Sequence, residues 1–104
     1  MEKIKVIYLI GAFRGRNAWE VHNNVLDAEA VIPYLIRQGY APICCHKMTE
    51  NLQGLFPDRV YLDICLELLR RADAVYVLPS WVESEGSKEE IAEAEKRGME
   101  IIWG

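Results

Sequence analysis

A chain of 104 residues, 51% hydrophobic and 27% charged, has the material for one domain with a real buried core and no composition that forces disorder. A formal charge of −4 without a basic cluster excludes a duplex-binding surface, while leaving room for a local cationic pocket that takes a single phosphate. Three cysteines, Cys44, Cys45 and Cys65, make no disulfide framework and point to a reducing, cytoplasmic setting.

Residues 4–10 (IKVIYLI) are a β-branched and apolar run that stops at Gly11, the pattern of a buried strand. The run is too short for a signal segment or a membrane span, so no membrane partner is expected. The loop GAFRGRN follows, with two glycines and two arginines. Asn17 is positioned to cap a helix that begins near Ala18. Val21, Val25, Ala28, Ile32 and Leu35 recur at helical spacing, and Pro33 inside that pattern predicts a kink or a break. Gly39 ends the helix. Residues 40–45 predict a second strand, and residues 46–57 a looser stretch. Asp58 is the expected cap of a helix over 59–71. DAVYVLP (73–79) predicts a third strand, followed by an acidic loop. A helix over 87–97 stops at Gly98, and MEIIW (99–103) predicts a fourth strand.

Strands alternating with helices imply an α/β domain across residues 1–104, with a parallel four-stranded sheet, right-handed crossovers and strand order 2-1-3-4. In such sheets ligands bind beyond the carboxyl ends of the strands where the order reverses. That point lies between strands one and three. The loops leaving it are GAFRGRN and SWVESEGSKEE, so topology brings arginines and glutamates to one crevice.

Each group there reads in two ways. Gly11 and Gly15 let the backbone approach a ligand, and Arg14 can hold a phosphate or carboxylate, but a plain βα turn with surface arginines has the same residues. Ser87-Lys88-Glu89-Glu90 has the S-x-x-E form of a capping box, in which Glu90 reaches back to the Ser87 N–H. At a switch point the same carboxylate can attack a sugar carbon. Glu83, Glu85 and Glu89 read as solvent-facing or matched to the helix dipole. Asp63 and Glu67 share a helix face, as an acid–base pair or a solvated face with nearby arginines. Trp81, Trp19 and Tyr8 either stack on a flat base or cover the core. Cys44-Cys45-His46 lacks a second pair of ligands at a usable spacing, so no metal is expected. His22 reads as a surface or boundary residue.

Three segments, YLIGAFRG (8–15), RRADAVYVLPSW (70–81) and SEGSKEE (84–90), together resemble the nucleoside 2-deoxyribosyltransferase-like superfamily, most closely its small DUF4406 branch. The resemblance spans nearly the whole chain. It implies a small Rossmann-like or flavodoxin-like three-layer sandwich and N-glycosidic chemistry without a cofactor. In that family the last position of an S/D-x-G-x-x-x-E pattern is the nucleophile, which falls on Glu90 here. Tyr8 matches the tyrosine that orients it. Arg14 and Ser84 match phosphate-binding positions of the deoxynucleotide N-glycosidases and tilt the expected substrate toward a monophosphate. Relatives complete their sites across subunit interfaces, which implies a homo-oligomer, a dimer or higher. Two positions depart from the pattern. Ala12 replaces the usual proline of the first loop, and Cys65 stands where the characterised enzymes have an aspartate. Asp63 is two residues, or about 200° of helix, from that position.

The expected function is transfer or hydrolysis of the N-glycosidic bond of a deoxynucleoside or its monophosphate. Glu90, Tyr8 and Asp63 form the catalytic set. Gly11, Arg14, Gly15, Asn17, Trp81, Ser84 and Gly86 form the substrate-binding set. The alternatives are a non-catalytic nucleotide-binding module of the same fold and an interaction protein in which Glu90 only caps a helix.

Overall fold

The apolar run near the amino terminus becomes β1 (Lys5–Ile10), and its last four residues are buried on both faces, as a central parallel strand requires. The structure is a computed structural model that describes residues 3–104. Strand β1 pairs in parallel with β2 (Tyr40–Ile43) on one side and β3 (Ala74–Val77) on the other, and β4 (Glu100–Trp103) adds beyond β3. The sheet order is β2-β1-β3-β4, as the alternation of elements predicts.

The period-two alternation of a strand sorts β1 between two cores. Ile7 and Leu9 pack with Ala28 and Leu35 of α1 (Ala18–Arg37) on one face. Tyr8 and Ile10 turn to the other face, against Leu69 of α3 (Asp58–Arg70) and Ile91 and Ala94 of α4 (Glu85–Lys96). The result is a small Rossmann-like sandwich of three layers. Each fully buried Ile or Leu contributes roughly 1.5–3 kcal/mol. Tyr8 is 1% exposed and brings the only hydroxyl into its cluster.

Local chemistry shapes the elements, and four features differ from the sequence expectation. Helix α1 begins as expected, with Asn17 Oδ1 accepting the Glu20 N–H at 2.9 Å. It runs unbroken through Pro33. That proline lies on the exposed side, where water can serve the carbonyl it leaves unpaired, while Ala28 and Leu35 hold the helix to the sheet on either side of it. Strand β2 ends at Ile43, and Cys45 already opens a short helix α2 (Cys45–Thr49) whose buried Thr49 hydroxyl donates to the Cys45 carbonyl at 2.9 Å. Asp58 is the first residue of α3 and caps nothing. Its carboxylate is therefore free for a partner elsewhere.

The fourth difference concerns α4. The helix starts at Glu85, two residues early, because a 3₁₀ turn over Pro79–Glu83 delivers Ser84 to the cap position. Ser84 Oγ accepts the Ser87 N–H at 3.1 Å. Ser87 is capped rather than capping, and no capping box joins it to Glu90. Ser84→Ala is expected to lower stability by about 1 kcal/mol in urea denaturation, as loss of a cap does. Ser87→Ala, which removes a buried hydroxyl that has no partner among the described residues, is expected to cost less or to stabilise. The reverse order would restore the capping box at Ser87.

Candidate active site

The carboxyl ends of the central strands open into a cavity of about 510 Å³, a size suited to a small molecule. Its walls come from β1 and its exit loop, from α2, from the first two turns of α3 and from the start of α4. At its floor stand Tyr8 and Glu90, the latter 7% exposed. The Tyr8 hydroxyl donates to Glu90 Oε2. Sequence explains the meeting: Tyr8 points from the middle of β1 toward α4, and Glu90 shares the inner stripe of α4 with Ser87, Ile91 and Ala94.

Burial dominates the electrostatics of this pair. It pushes the Glu90 carboxyl up to about 8, with the Tyr8 hydrogen bond opposing and Cys65 and Glu89 adding smaller upward effects. Burial, then the facing Glu90 charge, holds the Tyr8 hydroxyl well above its ordinary value. A carboxyl that changes protonation near neutrality can serve as acid, base or nucleophile. Beside it lie two free thiols, Cys45 and Cys65. A hydrogen bond with Cys65, together with burial, pushes the Cys45 thiol up, so Cys45 is a neutral wall of the floor. The Ser87 hydroxyl, one turn before Glu90, is a buried polar group with no hydrogen-bond partner among the described residues.

The first loop is pinned on several sides. The Ala12 N–H donates to Ser80 Oγ at 3.0 Å, and Asn24 Nδ2 donates to the carbonyls of Phe13 and Arg14 at 3.1 and 3.2 Å. His46 is buried and stands 3.0 Å from the Gly11 carbonyl, to which its Nε2–H donates; burial lowers its pKa and keeps the ring neutral. Gly11 lines the cavity, and a Cβ there would come within 2.5 Å of Leu78 Cδ1 and 3.0 Å of Leu78 Cβ. The glycine thus lets the ends of β1 and β3 approach.

The remaining predicted residues divide. Arg14, Ser84 and Gly86 line the cavity with Tyr8, Gly11 and Glu90. Arg14 is paired with Asp58 at 3.1 Å and donates to Gln53 at 3.3 Å. Gly15, Asn17, Asp63 and Trp81 are not on the cavity wall. Gly15 packs against Glu20, whose Cβ would be 2.5 Å from an added methyl, and Asn17 is occupied as the α1 cap. Asp63 turns outward to Arg59 at 2.9 Å, as its angular distance from Cys65 requires. Trp81 covers the core and leans on Trp103, with ring centroids 5.7 Å apart.

Sequence reasoning missed the wall supplied by α2, including His46 and Cys45, and the Asp58, Tyr61 and Leu62 side of α3. The available signal was topological. Strand β2 is the neighbour of β1, so the segment after it must leave on the same edge of the sheet. Among the described residues no group of three His, Cys, Asp or Glu side chains could hold a metal, and no helix is long and apolar enough to cross a membrane.

A family model described as Domain of unknown function (DUF4406) matches residues 5–103, and the chain belongs to that family. No curated protein matches the chain.

The buried carboxyl has a consequence for stability. Its value of about 8 in the folded protein lies above the ordinary 4.5, so its contribution is fully present below about pH 4.5 and is lost as the pH rises through 8. The loss is on the order of a few kcal/mol. Glu90→Gln, which keeps the shape without the titration, is expected to flatten this decline and to be more stable than the parent above pH 8 in urea titrations at several pH values. Parallel pH profiles for the two proteins would contradict a buried titrating Glu90.

Proposed function

We propose that the protein makes and breaks N-glycosidic bonds, with a deoxynucleoside or its monophosphate as substrate and Glu90 as nucleophile. The observation that carries this reading is the buried Glu90 carboxyl held by the Tyr8 hydroxyl at the floor of a cavity of ligand size. The likeness of the YLIGAFRG and SEGSKEE segments to the nucleoside 2-deoxyribosyltransferases supports it, since the same two residues match the nucleophile and its orienting tyrosine. In the first step ionised Glu90 attacks the anomeric carbon. The C–N bond breaks and its electron pair leaves with the base. In the second step water, or another base, attacks the same carbon from the opposite side and releases Glu90 as carboxylate. With water as acceptor the products are the free sugar and the protonated base. Two inversions give overall retention. Tyr8 fixes the rotamer of Glu90 and stabilises its charged form.

A second reading, a non-catalytic nucleotide-binding module, is favoured by one observation. Cys65, a thiol in the position of the family's aspartate, lines the cavity, and Asp63 turns away from it. Base release separates the two readings. Incubation with deoxynucleosides and their monophosphates, followed by chromatography of the free base, is expected to show turnover that Glu90→Ala reduces about 10³-fold or more. Because the nucleophile must be ionised, the rate is expected to rise with pH toward a plateau above about 8. Tyr8→Phe removes a hydrogen bond that lowers the Glu90 pKa, and its midpoint is expected to move up by about one unit. Ligand binding without base release, together with base release by Cys65→Asp, would favour the binding module. Equal rates for parent and Glu90→Ala would remove Glu90 from the mechanism.

A further inference from the structure

The cavity mouth carries a charge arrangement that bears on the phosphate state of the substrate. Two arginines line the cavity among the described residues, and both are already engaged. Arg14 is held by Asp58 at 3.1 Å. Arg59 is held by Asp63 at 2.9 Å and by Glu89 at 2.7 Å. The third basic side chain, His46, is buried and donates to the Gly11 carbonyl at 3.0 Å. Ser84, the other group expected to meet a phosphate, accepts the Ser87 N–H as the helix cap. Against these stand the carboxylates of Asp58, Glu83 and Glu85 on the cavity wall.

Resting on the reading of the cavity as a nucleoside site, we infer that Asp58 is a specificity-determining residue that selects an unphosphorylated deoxynucleoside over its 5′-monophosphate. A phosphate that takes Arg14 either displaces Asp58 or shares the guanidinium with it, and in both cases lies beside that carboxylate. The Arg14–Asp58 pair is exposed, so breaking it costs little; the repulsion that follows is the discriminating effect. A sugar hydroxyl meets the opposite situation. It donates to the Asp58 carboxylate without disturbing the ion pair, because a carboxylate accepts several hydrogen bonds. Charge selection of this kind acts against the wrong ligand rather than for the right one.

The experiment is isothermal titration of the parent and of Asp58→Asn with the four common deoxynucleosides and their 5′-monophosphates, without added metal and at fixed ionic strength. The parent is expected to bind at least one deoxynucleoside about tenfold or more tightly than the matching monophosphate. Raising the salt concentration is expected to narrow that ratio in the parent. In Asp58→Asn the freed Arg14 is expected to improve monophosphate affinity about tenfold. A parent that binds the monophosphate as tightly as the nucleoside overturns the inference and leaves the glycosidic reading standing. So does an Asp58→Asn protein that binds nucleoside with an unchanged preference. Absence of binding by all eight compounds to both proteins overturns the reading of the cavity itself. The salt series on the parent keeps the inference testable should the variant fold poorly.

Discussion

The buried contact between the Tyr8 hydroxyl and the Glu90 carboxyl is the interaction on which the rest of the site depends. A carboxyl placed among apolar side chains favours the neutral form strongly, and a fold tolerates it only where a hydrogen bond compensates. Here the partner comes from a central strand, with neighbours paired on both sides. The acid is thus held in one orientation without being neutralised by a cation. No ion pair involves Glu90 among the described residues, which distinguishes it from Glu20, Glu89 and Glu93, each bound to an arginine. An acid so treated can change protonation near neutrality, which is the property a reacting carboxyl needs.

Around that pair the molecule separates two kinds of electrostatics. The floor is buried, built from Tyr8, Cys45, Cys65 and the protonated form of Glu90. The mouth is wet and ionic, with Arg14 and Asp58 bridging the first loop to the start of α3. Interactions at the mouth are weak singly and screened by salt, so they discriminate among ligands with little effect on the fold. The Tyr8–Glu90 contact at the floor is buried, where a hydrogen bond is stronger than at the exposed mouth. The Ser87 hydroxyl, without a hydrogen-bond partner among the described residues, lies one turn before Glu90 on the same face of α4.

The fold was legible where sequence signals agreed with one another. The apolar run of β1, the 3.6-residue period of α1 and the glycines at positions 39 and 98, both at positive φ, are local cues that tertiary packing reinforces. Strand order followed from alternation and handedness alone. Legibility failed at the starts of α3 and α4. Asp58 has the chemistry of a cap, yet it sits one residue inside α3, because the extended Pro57 takes the cap position. Within the site, Glu90, Arg14 and Gly11 were reachable from topology and spacing, while the pairing of Tyr8 with Glu90 was implied only by the family resemblance. Trp81 was not separable from a core residue, since an indole packs equally well on a base or on Trp103. The α2 wall was hidden by a strand pattern, YAPICC, that continues two residues past the end of the strand.

The stretch SWVESEGSKEE shows why a shift of helix start matters for chemistry. Two serines, Ser84 and Ser87, compete for the role of cap, and each choice assigns Glu90 a different task. With Ser87 as cap, Glu90 would sit at the third helical position and turn back on the helix end, where solvent and the dipole favour its charge. With Ser84 as cap the helix gains most of a turn at its start, and Glu90 moves from the end of the helix into its buried stripe beside Ile91 and Ala94. The decision rests on packing. Ala94 and Ile91 must face the sheet, and helical spacing then carries Ser87 and Glu90 inward with them. Capping by Ser84 costs the site nothing, since that hydroxyl serves the backbone while the carboxyl is left for Tyr8. The helix cap and the buried acid are therefore supplied by different residues six positions apart, Ser84 and Glu90, and neither role restricts the other.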